Sequence, residues 1–524
     1  MKSRGVVAAA VLTCALVTGG WLMERGTAAA ARPEVAGERL FAEVLQHLRR
    51  DYVDTLADSA LYRRAVDGAL HELHDPHSVF LDPRRLSRFT ESTSGHYAGV
   101  GIQMDVRDNG ITVVAALPGT PASEAGIVTG DRIAEIEGHS TFGFTIDEAF
   151  KSLRGAVGTT VHVMVERPGV AARIPFALTR REISVHPVQH ATMLRDGTGY
   201  VDLTIFSAAA AAELVSAIDS LRRAGARALV FDLRGNPGGL LNQGVAVSDL
   251  FLEKGQTIVT TRGRTLAETR AFADDAAQRW RDMPIIVLTD SGSASASEIV
   301  AGALQDHDRA LVVGTTTYGK GSAQSLFRVA DGALKLTTAL WYTPSGRSIN
   351  RLRPGTDDGD SDLPPPDSAA RPRFRTDGGR TVLGGGGIVP DVEAGARPLS
   401  DTDKALGTAL GSRLPRFRDA TVEYVLSLKA AGAMRDTDFV VTPAMRAELY
   451  VRLQRRGVTL DAAIYERASS AVDRELSAQI ARYVFGPRAE FARRQRDDPA
   501  LVRALELLHG VMSPKGLLDR SPSH

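Results

Sequence analysis

Ala228-Leu-Val-Phe-Asp-Leu-Arg-Gly-Asn-Pro-Gly-Gly239 runs an apolar strand directly into a glycine and proline turn. A short, nearly unbroken apolar run is what a strand buried on both faces requires, because neither side of the pleat meets water. The pattern recurs at Ile285-Ile-Val-Leu-Thr289 and at Ala310-Leu-Val-Val-Gly314, and a further strand is read at Gly199-Tyr-Val-Asp-Leu-Thr-Ile205. Between these strands the spacing of apolar residues predicts helices over 210–223, 241–252 and 297–306. Strands alternating with helices over 181–350 argue for a layered α/β core.

Two stretches inside this core carry chemistry. Ser291-Gly-Ser-Ala-Ser-Ala-Ser-Glu298 places several serines between a buried strand and the start of a helix. Thr317-Tyr-Gly-Lys-Gly-Ser-Ala-Gln324 holds a lysine between two glycines. A serine hydroxyl needs a base before it can attack a carbonyl, and a neutral lysine can be that base. At pH 7 an ordinary lysine, pKa about 10.4, is neutral in roughly one molecule in 2,500. Burial that lowered the pKa to about 8 would raise this to about one in ten, a gain of about 3 kcal/mol in readiness. Ser295 is the candidate nucleophile, since it directly precedes the helix. Ala296 N–H and an amide of Gly238 or Gly239 are candidate donors to an oxyanion. Gln324, four residues beyond Lys320, is placed to orient the amine. Taken singly, a serine run also reads as a helix cap and a lysine as a solvated side chain.

Residues 95–180 change to short alternating strands. Strands around 100–106 and 111–115 flank Asp108-Asn-Gly110, a hairpin signal. Gly130-Asp-Arg-Ile133 and a helix over 145–153, with Ile146, Ala149, Phe150 and Leu153 on one face, follow. This layout resembles a PDZ domain. The resemblance implies that Tyr97-Ala-Gly-Val-Gly-Ile102 is the carboxylate-binding loop, and that the adjoining strand takes up a peptide as an added strand. Glu137 stands where asparagine is common in such domains. Arg154, at the end of the helix in Leu153-Arg-Gly155, reads either as an exposed helix-end arginine or, by resemblance to the peptidase family named below, as a candidate contact between the peptide-binding domain and the catalytic region.

The chain begins with Lys2 and Arg4, an apolar run over 6–23, and Gly26-Thr-Ala-Ala-Ala-Ala31. That order describes a secretory signal, and the run is also long enough to span a bilayer. Both a cleaved signal and a retained inner-membrane anchor stay open; either way the remainder is exported to a periplasmic or other extracytoplasmic space. Cys14 is the single cysteine and lies inside this segment, so disulfides, thiol catalysis and Cys-type zinc sites are excluded from the rest. A formal charge of +1, from 63 basic and 62 acidic residues, gives no drive toward nucleic acid. Residues 34–93 read as helical and end in His74-Asp-Pro-His-Ser78, whose histidines suit a turn better than a metal site. Residues 351–383 read as a surface insertion, and Asp357-Asp-Gly-Asp-Ser-Asp362 within it as a solvated loop.

The last hundred or so residues read as three helices, opened at Thr442-Pro443, Thr459 and Asp498-Pro499 and closed at Gly457, Gly486 and Gly510. Leu460, Ile464, Ala468, Val472, Leu476, Ile480 and Val484 form an apolar stripe that packs on the protein's own core or on a second copy.

Gly292-Ser-Ala-Ser-Ala-Ser-Glu298, Tyr318-Gly-Lys-Gly321 with Gln324, Asp232-Leu-Arg-Gly-Asn-Pro-Gly-Gly239, His74-Asp-Pro-His-Ser78 and Tyr342-Thr-Pro-Ser-Gly-Arg-Ser348 together resemble the carboxyl-terminal processing (tail-specific) peptidases. The match runs from about Phe41 to Val392. It implies a multidomain α/β protein with a ClpP/crotonase-like core, an inserted α+β PDZ domain, N-terminal helices and a C-terminal helical extension. The divisions are 1–31, 32–93, 94–180, 181–400 and 401–524. The resemblance further implies Ser295 as nucleophile, Lys320 as general base and Gln324 as its partner. It points to a serine endopeptidase acting on proteins with accessible C-termini and needing no cofactor or metal. A peptide-binding scaffold with an inert core is the rival reading. Tyr318 in place of phenylalanine and Ser322-Ala323 in place of Thr-Val are mild departures from the family pattern.

Overall fold

The computed structural model describes residues 33–168, 170–351, 371–395 and 399–520. The chain divides into two compact units, Met1–Phe80 and Leu81–His524. In the first, helices Pro33–Asp51 and Asp58–His71 are followed by a turn closed by Asp75, which accepts from His77 N–H at 3.0 Å and Ser78 Oγ at 2.5 Å. The signal or anchor segment lies outside the described residues. Among those described, no helix is long and apolar enough to cross a membrane, and no cluster of His, Cys, Asp or Glu could hold a metal ion.

The second unit is built on a sheet ordered Ala191–Met193, Thr198–Asp202, Ala228–Asp232, Ile285–Thr289, Leu311–Gly314, Val392–Glu393. All neighbours are parallel except the first pair. Alternate residues point to opposite faces. Leu229, Phe231, Ile285 and Val287 pack on helices Ala210–Arg223, Leu241–Asp249 and Ala296–Asp306 through Leu214, Ile218, Val247, Val300 and Leu304. Val230, Ile286, Leu288, Leu311 and Val313 face the other way and meet Ala500, Leu501, Ala504, Leu507 and Leu508. These last five belong to helix Pro499–Leu508. Helix Pro499–Leu508 is therefore the second layer of the core, so the helical C-terminal region expected over 401–524 also covers the central sheet. It also explains why the central strands are apolar at every position but their ends.

An antiparallel sheet of Thr257–Gly263, Arg270–Ala273, Ser322–Val329 and Gly332–Tyr342 adjoins this core. The insertion expected over 351–383 is folded in its second half. Arg373–Arg375 pairs with Thr381–Leu383, and Arg380 bonds Asp308 at 2.6 Å and Asp391. Asp357–Asp362 lies outside the described residues.

The PDZ region orders its strands Ile102–Arg107, Gly110–Ala116, Arg132–Ile136, Thr160–Glu166, Ile174–Thr179. Asp108 and Asn109 take φ of 47° and 55°, the left-handed pair that a tight hairpin needs. Glu137 sits at φ 51°, which accounts for asparagine at such a position, and its carboxylate accepts His162 N–H at 2.7 Å. Thr145 and Glu148 cap helix Ile146–Leu153.

Residues 401–485 form a helical block with its own core. The Leu460–Val484 stripe is spent inside it: Val472 is 1% exposed, and Leu476 and Ile480 are fully buried. The stripe therefore packs on the protein's own core through its middle, with Ile464 and Val484 partly buried. It is also not one helix but Ala462–Arg467, Ser469–Ile480 and a wide turn Ala481–Phe485, with Asp461 rather than Thr459 as the cap. A helix missed by the sequence reading, Pro487–Gln495, follows. The block grips the PDZ domain. Arg456 pairs with Asp108 at 2.6 Å, Lys429 Nζ donates to Thr129 O at 3.1 Å, and Gly130 lies flat against Leu426.

Leu501, 1% exposed against the sheet, tests the layering. Leu501→Ala is expected to lower unfolding free energy by about 2–5 kcal/mol, read as a lower urea midpoint. An unchanged midpoint would show that the sheet does not depend on this helix.

Candidate active site

Ser295 is the residue where strand Ile285–Thr289 has turned into helix Ala296–Asp306. Its φ of 56° and ψ of −112° lie in a region that a side chain adopts only under constraint, at a cost of about 1–3 kcal/mol. A sharp strand-to-helix turn of this kind lifts a nucleophile's oxygen out of the chain. The neighbouring serines have other work. Ser293 Oγ donates to Leu233 O at 2.8 Å and Ser297 Oγ to Asn236 O at 2.9 Å, both fully buried. Ser295 is half-buried and carries the unusual backbone, so the structure singles it out.

Glu298, one turn into the helix, is fully buried. Its Oε2 accepts Ser295 N–H at 2.8 Å and Lys320 N–H at 2.9 Å. Its Oε1 accepts Gly319 N–H at 2.7 Å and Thr317 Oγ–H at 2.5 Å. One carboxylate thus binds the main chains of both candidate residues on the same oxygen. Burial pushes the Glu298 pKa above its ordinary value, against the pull of the Thr317 hydroxyl and the three amides. Tyr318 N–H adds a bond to Ser293 O at 3.0 Å. The glycines beside the half-buried Lys320 are explained by contact: Gly319 has φ 89° and faces Gly386 and Gly387, and Gly321 abuts Asn350.

The glycine turn after Ala228–Asp232 is fastened to the serine loop. Asp290 Oδ1 accepts from Gly235 N–H at 2.8 Å and Gly292 N–H at 2.9 Å, and Ala294 N–H donates to Asn236 O at 3.0 Å. A Cβ on Gly238 would fall 2.6 Å from Ala294 O and 2.8 Å from Ser295 Cβ, so only glycine fits there. Gly238 N–H, however, donates to Asn236 Oδ1 at 2.9 Å, which removes it as an oxyanion donor. Gly239 N–H and Ala296 N–H, at the first position of the helix, have no acceptor among the described residues. Gly238 supplies close approach, and Gly239 and Ala296 the open donors.

Gln324 lies at an irregularity in the pairing of Ser322–Val329 with Gly332–Tyr342. Its Nε2 donates to Ser322 Oγ at 3.0 Å and Thr337 Oγ1 at 3.1 Å, which fixes the amide and leaves Oε1 as the acceptor atom.

In the PDZ loop, Tyr97, Ala98 and Gly99 belong to strand His96–Gly99, paired with Arg181–Ser184. They are therefore not loop donors; Val100, Gly101 and the start of strand Ile102–Arg107 make the turn. That strand is at the sheet edge, and Ile102, Met104, Phe150 and Leu153 line a narrow groove beside helix Ile146–Leu153. Arg154 is neither a solvated helix end nor a bond to the serine and lysine loops. It lies 4.9 Å from the Tyr97 ring centre and 5.6 Å from that of Phe150, and pairs with Glu91 of helix Pro83–Ser94 at 2.6 Å.

The sequence reading gave no role to Glu298, Asn236 or Asp290. Ser295 followed three residues later by Glu298 is a capping-box signature, and it was the available signal for the first.

A serine at a strained turn, a clamped lysine loop, open amides and a PDZ domain define a serine-type peptidase. Residues 197–357 match the model of peptidase family S41, and residues 112–167 that of the PDZ domain. A carboxy-terminal-processing protease of Bartonella bacilliformis is 40% identical over 317 residues, which is 60% of this chain and 72% of the relative. The carboxy-terminal processing protease CtpA of Bacillus subtilis is 35% identical over 307 residues, 58% of this chain and 65% of the relative. The solved photosystem II D1 C-terminal processing protease aligns at 26% identity and a TM-score of 0.38 over 69% of this chain and 88% of its own. The chain belongs to the carboxy-terminal processing proteases.

Gly238→Ala is expected to reduce kcat/KM on an unfolded protein substrate at least about a hundredfold, since displacing the serine loop by even an ångström costs that much. Activity within a few-fold of wild type would show that the close approach is not needed.

Proposed function

We propose that the protein is an exported endopeptidase that captures the C-terminal part of protein substrates on its PDZ domain and cleaves peptide bonds through an acyl-enzyme on Ser295. The observation that carries this reading is the Glu298 carboxylate, which binds the Ser295 and Lys320 amides at 2.8 and 2.9 Å. It supports a Ser–Lys pair because both side chains then depart from neighbouring points of one buried anchor.

In the first step Ser295 Oγ attacks the scissile carbonyl while Lys320, neutral at that moment, takes the hydroxyl proton. The oxyanion is received by Gly239 and Ala296 N–H groups, aligned with the N-terminal end of a buried helix. Lys320 then gives its proton to the leaving amine. In the second step it takes a proton from water as the oxygen attacks the ester carbonyl, and it returns that proton to Ser295 Oγ as the ester C–O bond breaks, which frees the new C-terminus and restores Ser295 and neutral Lys320. Gln324 Oε1 accepts from the amine and holds it toward Ser295.

Substrate delivery follows from the edge strand Ile102–Arg107, whose outer side can take a peptide as an added strand with its carboxylate at Val100–Ile102. Arg154 over Tyr97 and Phe150 closes one end of that groove, so an arriving peptide meets a residue already tied to Glu91. Arg154 is the regulatory candidate on this basis. The charged, apolar and small-residue order of 1–31 supports export, with or without a retained anchor.

Digestion of an unfolded protein, read by mass spectrometry, tests the proposal. Wild type is expected to cut, and Ser295→Ala and Lys320→Ala to fall by about 10³-fold or more. Equal cleavage by wild type and Ser295→Ala would sink it. Peptide binding without cleavage by wild type would favour an inert scaffold.

A further inference from the structure

The glycine turn that carries Gly239 is held from two sides. The inner side is the set of bonds from Asp290 and Asn236 already described. The outer side is Arg234, whose guanidinium lies between two carboxylates, one two residues before it and one far along the chain. Arg234 Nη2 meets Asp232 Oδ2 at 2.6 Å, and Nε meets Asp232 Oδ1 at 3.0 Å. On its other edge Nη1 donates to Asp498 Oδ1 at 3.0 Å, and Nη2 lies 2.7 Å from Asp498 Oδ2. Asp232 is itself fixed at the end of its strand by Tyr200 Oη–H at 2.7 Å.

Asp498 is the cap of helix Pro499–Leu508, the helix that covers the second face of the central sheet. The capping job uses Oδ1, which accepts Ala500 and Leu501 N–H groups, each at 3.1 Å. An asparagine would do that job as well. The charge and the second oxygen serve Arg234. The pair is one-fifth to one-quarter exposed, so solvent screens it only in part, and the two-oxygen geometry fixes direction as well as distance.

We propose that Asp498 is a positioning residue for the oxyanion-binding turn, acting through Arg234, so that helix Pro499–Leu508 supports the catalytic apparatus. The inference rests on the roles given above to Ser295 and Gly239. Without the Asp498 charge, Arg234 keeps only Asp232, four positions short of Asn236, and the turn loses its outer tether. The consequence falls on oxyanion binding, hence on kcat, and not on capture by the PDZ groove.

The full chain carrying Asp498→Asn, Arg234→Gln, both, or Ser295→Ala is assayed for kcat and KM on a peptide substrate and for its urea midpoint. Asp498→Asn is expected to lower kcat about tenfold with KM and midpoint close to wild type. The double variant is expected to lose no more than Arg234→Gln alone, since one path serves both residues. Wild-type kcat in Asp498→Asn, or losses that simply multiply in the double variant, would overturn the proposal while Ser295→Ala stays inactive. A midpoint that falls in step with kcat would reduce Asp498 to a helix cap and overturn it too. Cleavage by Ser295→Ala would overturn both this inference and the reading on which it rests.

Discussion

One buried carboxylate decides the geometry of this site. Glu298 is held inside the protein by four donors that reach it from two separate loops. Burying an anion is costly unless it is well bonded, and hydrogen bonds to a charged acceptor are each worth about 1.5–3 kcal/mol. One of them holds the Ser295 N–H, in a backbone that stores roughly 1–3 kcal/mol. The strained turn is thus tied directly to the carboxylate beneath it. Lys320 arrives beside the serine for the same reason.

Around that anchor the molecule is arranged in layers that leave few independent parts. The central sheet is apolar on both faces. One face is covered by the helices that follow its own strands, and the other by Pro499–Leu508, some two hundred residues further on. The same helix begins at Asp498 and reaches the glycine turn through Arg234. The helical block before it holds the back of the PDZ domain by Arg456 and Lys429, while Arg154 at the front is tied to Glu91. The PDZ groove and the central sheet are thus linked through the helical block by side chains whose sequence positions are far apart.

That distance separates what the sequence discloses from what it conceals. Strands 228–232, 285–289 and 311–314 were legible because apolar runs bounded by glycine have few other readings, and the 108–110 hairpin because its φ values need such residues. Ser295, Lys320 and Gln324 were picked out through ordered local motifs, and the structure brings the main-chain amides of the first two to one carboxylate. The donor role of Gly238 was misread because a side chain two residues earlier, Asn236, takes its N–H. Tyr97, Ala98 and Gly99 were misplaced because their partner, Arg181–Ser184, returns only after the whole PDZ domain. The apolar stripe at Leu460–Val484 says that it is buried but not against what. Nor does the sequence between Asp498 and Leu508 announce that its apolar face meets Val230 and Leu288.

The most direct measurement is the rate at which a fluorophosphonate labels Ser295, followed by peptide mass mapping, in wild type and Glu298→Gln. An amide offers one acceptor and two hydrogens where four donors converge, so both loops must shift. The account predicts labelling of wild type at Ser295 alone, slowed at least about a hundredfold in Glu298→Gln with the PDZ domain still binding peptide. Labelling of Glu298→Gln at the wild-type rate would contradict it, because the carboxylate would then not be what sets nucleophile and base in place.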